Sequence, residues 1–262
     1  MTPDLLDRLW LWGHEAGSLN QDWGLPRPSR ITVAEAALTL GIPNALMVVY
    51  GGKPEPPFDR HARAMLPLRR VVWSIVGDSS STRNDQATDL DEVLALAGAH
   101  PNIAGGILDD FFHEPDTQGA TARYSVADLA GFRRRLHAAA HPLELWVVLY
   151  THQLHLPVAE ALAQCDVTTF WTWKARDLPQ LEANFTRFEA VAPDVRKVLG
   201  CYLWDYGEKQ PMPLELFQQQ YQLGMEWLRS GRIEGIVFLA SCVCDLGLDT
   251  VEWLRAQLAS AP

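Results

Sequence analysis

The chain has 262 residues, of which 48% are hydrophobic and 21% are charged, a composition that excludes a disordered or fibrous protein. Its 22 Lys and Arg residues stand against 32 Asp and Glu residues, which gives a formal net charge of −10. Because nucleic-acid binding depends on clustered cations, this balance argues against a nucleic-acid partner. The length suffices for one large domain or two small ones.

No apolar run approaches the roughly 18–20 residues that a membrane span requires. The first residues mix acidic and basic side chains and lack the basic start and apolar block of a signal peptide. We therefore expect a cytoplasmic protein with no membrane partner. The cysteines show neither zinc-site spacing nor the density of a disulfide scaffold, so we expect buried free thiols. The four cysteines are Cys165, Cys201, Cys242 and Cys244.

Short apolar or β-branched runs recur about eight times along the chain, and each predicts a strand. The predicted strands are Leu9–Trp12, Ala45–Tyr50, Val71–Val76, Ile103–Leu108, Leu145–Tyr150, Val167–Trp173, Val198–Trp204 and Gly235–Ala240.

Longer stretches with helical periodicity lie between these runs. The predicted helices are Thr32–Leu40, Leu90–Ala99, Val126–Ala140, Leu178–Val191, Leu214–Ser230 and Thr250–Ala259. Gly41 follows the first of them, Asp89 is placed to cap the second, and Ser125 with Asp128 resembles a capping box before the third. The segment from Gly13 to Ser29 is expected to form a long loop poor in helix.

Strands separated by helices indicate parallel pairing, because a parallel partner requires a long crossover connection. Eight units in 262 residues average about 33 residues each, which is close to what a (β/α)8 barrel requires. An open doubly wound sheet is the alternative, but no GxGxxG follows an early strand and no Walker motif is present. We predict an α/β chain that forms a single-domain (β/α)8 TIM barrel over residues 1–262.

Polar and aromatic side chains follow the predicted strands at their carboxyl ends, where barrels of this class carry their chemistry. The opposite connections consist of plain turn residues. The expected substrate-binding residues at these ends are His14, Glu15, Tyr50, Trp73, Tyr150, His152, Trp171, Trp173, Lys174, Trp204 and Tyr206.

Tryptophan is prominent at these positions, and its flat apolar face suits the C–H face of a sugar ring. Trp73, Trp171, Trp173 and Trp204 are the candidates for holding sugar rings, although a tryptophan in a strand is often simply part of the core. Trp171 and Trp173 share one strand face, so both would turn to the helices if Thr172 and Lys174 faced the barrel axis.

Carboxylates are the second prominent feature. Glycosidic-bond hydrolysis uses one carboxyl group as proton donor and another as nucleophile or base. Adjacent strand residues point to opposite faces, so we expect only one of Asp109 and Asp110 to face the pocket. A partner across the barrel would be Asp205 or Glu208, and Tyr150, His152 and Tyr206 would orient the pair. The competing interpretation is that the aspartates cap a helix or pair with cations.

His14 and Glu15 are candidates for binding a sugar hydroxyl or, with the strand-four aspartates, a divalent metal. Because no HxH or HExxH spacing is present, we expect neither a metal nor a cofactor. Lys174, at the end of strand six, lies where Schiff-base aldolases keep their nucleophile. Ionic pairing with Asp177 or a strand-seven carboxylate is the simpler expectation for it.

Three phrases extend these observations: GGILDDFF at 105–112, FWTWK at 170–174 and GCYLWDYG at 200–207. Together they resemble glycoside-hydrolase-like (β/α)8 barrels of bacteria, a largely uncharacterised group. The resemblance implies this fold and a carbohydrate-related site. The chain lacks the Asn-Glu-Pro phrase of the large retaining-glycosidase clan and the Asp-x-x-Asp-x-Asp-x-Glu run of chitinase-like barrels.

From these observations we predict an enzyme that cleaves a glycosidic bond of a small oligosaccharide or glycoside by paired-carboxylate chemistry. The expected partner is a small carbohydrate. Two alternatives stay open at this stage, a Schiff-base lyase that uses Lys174 and a sugar-binding barrel without catalysis.

Overall fold

The computed structural model describes residues 3–85 and 87–259. Within these ranges eight parallel strands close into a barrel in chain order, with β1 paired to both β2 and β8. This confirms the predicted (β/α)8 barrel. The strands are β1 Leu9–Gly13, β2 Asn44–Met47, β3 Arg70–Val76, β4 Ile103–Leu108, β5 Glu144–Tyr150, β6 Val167–Trp171, β7 Arg196–Tyr202 and β8 Gly235–Leu239.

Helices follow the strands and cover the outer face of the barrel. They are α1 Pro3–Leu6, α2 Val33–Leu40, α3 Asp59–Ala64, α4 Leu90–Ala99, α5 Val126–His137, α6 Ala159–Leu162, α7 Leu181–Val191, α8 Leu214–Ser230 and α9 Asp249–Ala259. Short 3-10 turns lie at Thr82–Asp85, Thr151–Gln153, Ala175–Gln180 and Ser241–Val243. In the described part of the chain, no helix is long and apolar enough to cross a membrane.

Local sequence explains where several helices begin and end. Helix α5 begins at a capping box in which Ser125 Oγ accepts from the Asp128 N–H and the Asp128 carboxylate accepts from the Ser125 N–H, as predicted. Helix α2 ends at Gly41, whose φ of 70° suits glycine. The predicted cap at Asp89 is wrong, because this side chain makes no capping bond and pairs instead with Arg83 at 2.7 Å.

Four predicted strands extend too far at their carboxyl ends, because the chain turns there into loops with their own hydrogen bonds. After β2, Tyr50 and Lys53 bond each other through their backbones at 2.9 and 3.0 Å. After β7, Asp205 and Gln210 form a similar bridge. Strands β6 and β8 end at Trp171 and Leu239. The short helices α1, α3 and α6 have too few turns to show periodicity and were not predicted from the sequence.

The barrel interior is filled by large rings at two levels. Trp10 and Trp146 pack edge to face with ring centroids 4.9 Å apart near the amino ends of the strands. Trp12 and Trp171 pack in the same way at 5.4 Å, one level higher. Gly200 makes room for the upper pair, because a Cβ there would lie 2.1 Å from the Trp171 ring. The cysteines in the described residues are buried and free, as expected.

Candidate functional site

A cavity of about 1040 Å³ opens at the carboxyl ends of the strands, where barrels of this fold bind their ligands. Its wall contains nine aromatic side chains. The aromatic lining residues are Trp12, Trp23, Tyr50, Phe112, Tyr150, Trp171, Trp173, Tyr202 and Tyr206. The charged lining residues are Asp78, Asp85, Asp109, Asp110, Arg123, Lys174, Arg176 and Asp177, with His14, His113 and His152 beside them.

Two consecutive carboxyl groups from the end of β4 both line this cavity. Asp110 has a φ of 41°, a left-handed conformation that is uncommon for a residue with a side chain and is characteristic of functional sites. The alternation of side chains along an extended strand therefore no longer applies at this position. The expectation that only one member of the pair would face the pocket is corrected accordingly.

The two carboxyl groups differ in their surroundings. The Asp110 carboxylate accepts a hydrogen bond from the Tyr150 hydroxyl at 3.0 Å and another from the Ser79 N–H at 3.0 Å. Asp109 is buried, and its Oδ1 accepts the backbone N–H of Asp110 at 2.9 Å. Two donors thus fix the orientation of the Asp110 carboxyl group, whereas Asp109 has a second oxygen that is available to a ligand.

Burial, together with the negative charges of Asp110 and Asp78, raises the pKa of Asp109 well above its usual value. Asp109 therefore retains its proton under conditions in which an exposed aspartate has lost it. A carboxylic acid that stays protonated beside an anchored carboxylate is the arrangement that general-acid catalysis requires.

The third carboxylate of this group, Asp78, is committed to holding loops together. Its Oδ1 accepts from the Gly51 N–H at 3.0 Å and from the Ser81 hydroxyl at 2.8 Å, and its Oδ2 accepts from Ser80. Arg123 donates to the carbonyls of Gly77, at 2.9 Å, and Asp78. This network fixes the loop that presents the Ser79 N–H to Asp110.

Two tyrosines continue the hydrogen bonding from Asp110. Burial and the Asp110 charge raise the pKa of Tyr150 well above its usual value, so its hydroxyl remains a donor to Asp110. Tyr202 forms a side-chain hydrogen bond with Tyr150, and burial also raises its pKa. His152 stacks on Tyr150 with ring centroids 5.2 Å apart, and burial lowers the pKa of this histidine.

His14 is held in one neutral form. Its Nδ1 lies 3.1 Å from the carbonyl oxygen of Val48, and its Nε2 accepts from the Trp12 indole N–H at 3.2 Å. Because a carbonyl can only accept, the proton resides on Nδ1. Burial lowers the pKa of His14 to about 4. The residue therefore contributes a neutral ring beside Tyr50, at a centroid distance of 5.4 Å.

The indole of Trp23 connects the first loop to the far wall of the cavity. Its ring packs against Trp173 at 5.8 Å and against Tyr206 at 5.6 Å, and its N–H donates to the Tyr50 hydroxyl at 2.8 Å. The Tyr206 hydroxyl is buried and has no hydrogen-bond partner among the residues that the structure describes. A buried hydroxyl without a partner costs about 1–3 kcal/mol, and a ligand that supplies a partner recovers that cost.

Lys174 also lines the cavity, close to the rim. Its side chain makes no ion pair or hydrogen bond within the described ranges, so the expected pairing with Asp177 or a strand-seven carboxylate is not formed there. Arg176 takes Glu208 instead, at 2.6 Å. The stem of Lys174 packs over Gly207, where a Cβ would lie 2.6 Å from the lysine Cγ.

The structure brings most of the predicted site residues together. Those that line the cavity are His14, Tyr50, Asp109, Asp110, Tyr150, His152, Trp171, Trp173, Lys174 and Tyr206. Trp171 and Trp173 face the cavity and not the helices. Thr172, between them, is buried outside the lining.

Neither predicted partner across the barrel, Asp205 or Glu208, lies in the cavity lining. Asp205 is fully buried in its own turn, where it accepts from the Glu208 N–H at 3.3 Å and from the Gln210 side-chain amide at 3.4 Å. Glu208 is not part of the lining itself and pairs with Arg176, which is. The reaction pair expected across the barrel is therefore not assembled, because Asp205 is bonded within the turn after β7 and Glu208 pairs with Arg176 from the turn after β6.

Three predicted substrate-binding residues also lie outside the lining. Glu15 faces His61 at 3.8 Å. Trp73 is buried behind β3 against Phe58, at a centroid distance of 5.2 Å. Trp204 donates its indole N–H to the carbonyl of Trp23 at 2.9 Å, so it supports the first loop and does not contact the cavity directly.

Several lining residues were not among the predicted site residues. Asp78 and Ser79 lie two and three residues after the end of β3, so their position at a strand end was a usable signal. Tyr202 lies two residues after Gly200 on the inward face of β7, a signal that appears only once the register is known. Arg123 reaches the site from a loop after β4, and nothing in the local sequence marks it.

Residues 3–85 and 87–259 contain no group of three or more His, Cys, Asp or Glu side chains arranged to hold a metal ion. The cluster of Asp78, Asp109 and Asp110 is instead occupied by backbone, serine and tyrosine donors.

Comparison with known proteins places the fold. No protein-family model and no curated protein matches the sequence. A candidate alpha-L-fucosidase from Bacteroides thetaiotaomicron has a similar structure, with 11% identity, a TM-score of 0.64, and coverage of 98% of this chain and 96% of that one. The GH99 endo-alpha-mannosidase of the same organism gives 9% identity, a TM-score of 0.58, and coverage of 93% and 85%. The PgaB glycoside hydrolase domain of Bordetella bronchiseptica has 12% identity and a TM-score of 0.52, with coverage of 97% of this chain and 99% of that one.

These similarities extend over nearly the whole of each barrel. The resemblance to glycoside-hydrolase barrels that the strand phrases indicated is confirmed as a likeness of fold. At identities of 9–12% the likeness concerns the fold alone, and the chemistry has to be argued from the site. The chain has a (β/α)8 barrel fold similar to that of glycoside hydrolases.

Proposed function

We propose that this protein hydrolyses a glycosidic bond of a small oligosaccharide or glycoside. The observation that carries the proposal is the pair formed by Asp109 and Asp110, a buried acid beside an anchored carboxylate, in the lining of a cavity that also contains nine aromatic side chains. Glycosidases use a carboxylic acid as proton donor together with a carboxylate. The similar barrels are compatible with the proposal and do not establish it.

The two carboxyl groups take different roles. Asp109 holds a proton and has a free oxygen, so it is the group that protonates the departing oxygen. Asp110 is oriented by the hydrogen bonds from Tyr150 and Ser79 and stabilises positive charge at the reacting carbon. Tyr150 is a positioning residue that fixes the orientation of Asp110.

The aromatic wall supplies the contacts to the sugar. Trp23, Trp173 and Tyr206 present ring faces on one side of the cavity, and Trp12 with Trp171 forms its base. Such faces pack against the C–H faces of sugar rings and exclude water from the reacting bond. The unpartnered Tyr206 hydroxyl offers one directional contact to a sugar oxygen.

The test uses a panel of aryl and alkyl glycosides with leaving groups of different acidity. Asp109→Asn is expected to lower kcat/KM about 10²- to 10⁴-fold for alkyl glycosides, because these need a proton on the departing oxygen. The loss should be small for 2,4-dinitrophenyl glycosides, because their leaving group departs without being protonated. Asp194→Asn, an exposed aspartate at the opposite end of the barrel, is the matched control. Equal losses for every leaving group would contradict the role of Asp109.

One observation favours a second candidate, a lyase that forms a Schiff base. Lys174 lines the cavity, and within the described ranges its ammonium group has no partner. Incubation with small aldehydes and ketones followed by borohydride reduction distinguishes the two activities. A stable adduct at Lys174 would favour the lyase, whereas no adduct and glycoside turnover would favour the hydrolase.

A further inference from the structure

The positions of the two carboxyl groups restrict how the reaction can proceed. Displacement at a sugar's anomeric carbon needs a nucleophile on the face opposite the departing oxygen, which is why most glycosidases place carboxyl groups on both sides of the bond. Asp109 and Asp110 are consecutive residues at the end of a single strand. They therefore approach a ligand from the same wall.

The opposite wall lacks such a group among the residues that the structure describes. In a closed eight-stranded barrel β4 faces β8, flanked by β7 and β1. The lining residues on and after these strands are Trp12, His14, Leu19, Trp23, Tyr202, Tyr206 and Leu239. None of them has a carboxyl group.

The remaining acidic residues of the lining are engaged or peripheral. Asp78 is bonded through both oxygens, and Asp85 pairs with Arg123 at 3.1 Å. Asp177 lies exposed on the rim beyond β6. The nucleophile facing the β4 wall must then come from water or from the substrate itself.

The base of the cavity indicates which substrate can supply it. Trp12 pairs with Leu239 in adjacent strands and packs on Trp171 at 5.4 Å, which creates an apolar floor. Tyr202 packs on Trp171 at 5.0 Å and is close enough to the β4 carboxylates for their charges to raise its pKa. A substituent with an amide N–H to meet a carboxylate and a methyl group to meet this floor is the acetamido group.

Resting on the proposed function, we infer that the substrate is a 2-acetamido-2-deoxy-β-hexoside whose own amide carbonyl oxygen is the nucleophile. Asp110 accepts the amide N–H, and Asp109 protonates the departing oxygen. The β configuration follows because the C2 substituent attacks from the face opposite a 1,2-trans leaving group.

The steps balance without any further reactant except water. The amide carbonyl oxygen forms a bond to the anomeric carbon while the bond to the departing oxygen breaks, and that oxygen takes the proton from Asp109. Asp110 accepts the amide proton, which leaves a neutral oxazoline. Water then adds to the anomeric carbon and returns a proton to Asp109. The ring opens as the nitrogen takes its proton back from Asp110.

Three 4-nitrophenyl glycosides test this inference: the 2-acetamido-2-deoxy-β-glucoside, its α anomer and the β-glucoside. We expect kcat/KM for the first to exceed the other two by about 100-fold or more, because only it has a correctly placed internal nucleophile. Replacing N-acetyl by N-trifluoroacetyl should lower kcat/KM on the order of 100-fold, since fluorine weakens the carbonyl oxygen as a nucleophile. A thiazoline fused to the sugar should inhibit competitively.

The outcomes separate this inference from the proposed function. Equal hydrolysis of the β-glucoside, with loss in Asp109→Asn, would leave the glycosidase standing and overturn the internal nucleophile. A covalent sugar adduct on a carboxyl group would have the same meaning. We expect Asp177→Asn to lose less than tenfold in kcat/KM, so a loss as large as that in Asp110→Asn would also overturn the internal nucleophile. Turnover of no glycoside at all would overturn both.

Discussion

The two ends of the barrel differ in how well their polar and charged groups are paired. At the carboxyl ends of the strands, Asp78, Asp109 and Asp110 lie close enough for their like charges to raise the pKa of Asp109. Asp110 has an unfavourable backbone conformation, and the Tyr206 hydroxyl is buried without a partner in the described residues. Each of these features costs folding free energy.

At the amino ends, opposite charges are matched. Arg196 pairs with Glu144 at 2.7 Å and with Glu234 at 3.3 Å. Arg70 lies over the Trp10 ring at 4.6 Å, and the indole of Trp146 donates to Glu144 at 3.0 Å. The small cavity at this end, about 300 Å³, is therefore surrounded by satisfied groups.

The difference shows where the molecule tolerates unfavourable local structure. A barrel needs one closed, well-packed end, and it can then hold unfavourable groups at the other, where they are available to a ligand. Substitutions at the carboxyl end should therefore change activity strongly and in some cases raise stability. Substitutions at the amino end should change stability only.

The largest expected effect is on turnover in Asp110→Asn. The variant loses the anion that stabilises positive charge at the reacting carbon and accepts the hydrogen bond from Tyr150, so kcat should fall about 10³-fold. Steady-state kinetics on the glycoside that the wild-type protein turns over measures this. Asp205→Asn and Glu208→Gln, whose side chains lie outside the cavity lining, should lose less than tenfold. A loss of 10² in either would restore the pair across the barrel.

Asp109→Asn is expected to lose activity and gain stability. The folded protein holds a proton on Asp109 that the unfolded chain releases above a pKa of about 3.9, so wild-type stability falls as pH rises from that value. Asparagine has no proton to lose. In urea unfolding the variant should be more stable than the wild-type protein at pH 7, and the difference should be smaller at pH 5. A gap that narrows with rising pH would contradict the raised pKa.

The pH dependence of stability caused by His14 has the opposite sign to that caused by Asp109, and the Asp109→Asn variant allows it to be measured separately. Because burial lowers the pKa of His14 to about 4, the unfolded chain binds a proton between roughly pH 6.5 and 4 that the folded chain does not. Stability therefore falls as pH decreases through this range. In the wild-type protein the stability that Asp109 contributes rises as pH decreases over the same range, so it partly offsets the loss caused by His14. Asp109→Asn should show a steeper loss of stability below pH 6.5 than the wild-type protein. A variant whose stability does not fall between pH 6.5 and 4 would contradict the lowered pKa of His14.

Much of this contrast could be predicted from the sequence. The alternation of strands and helices predicted the barrel, and the residues after the strands predicted ten of the cavity's lining residues, because both depend on local periodicity and on which rim the strands end at. The pairing of carboxylates did not follow, because it depends on one φ angle at Asp110 and on a turn that encloses Asp205.

The face of a strand to which a tryptophan side chain points could not be predicted from the sequence either. Trp171 faces the barrel interior because Gly200, on the neighbouring strand, leaves space for its ring. That match lies between residues 29 positions apart and becomes visible only when β6 and β7 are in register. Trp73, with a similar local sequence, faces the helices instead.

A smaller effect is expected for Tyr206→Phe. Loss of a hydroxyl without a partner should leave stability unchanged or raise it by up to about 1 kcal/mol, whereas KM should rise about 5- to 20-fold because the ligand loses one hydrogen bond. Tyr221→Phe, on the helix side of β8, is the matched control. A less stable variant with unchanged KM would show that the hydroxyl serves the fold and not the ligand.

The smallest effect is expected at the amino end. Glu144→Gln removes the charge opposite Arg196 but keeps an oxygen for the Trp146 indole, and the pair is more than a third exposed on both sides. Partly exposed ion pairs contribute up to about 1 kcal/mol, so urea unfolding should show a loss of that order, reduced by salt. Turnover should not change. A tenfold decrease in kcat would show that the two ends are coupled through the stacked tryptophans between them, and the separation of stability from function would fail.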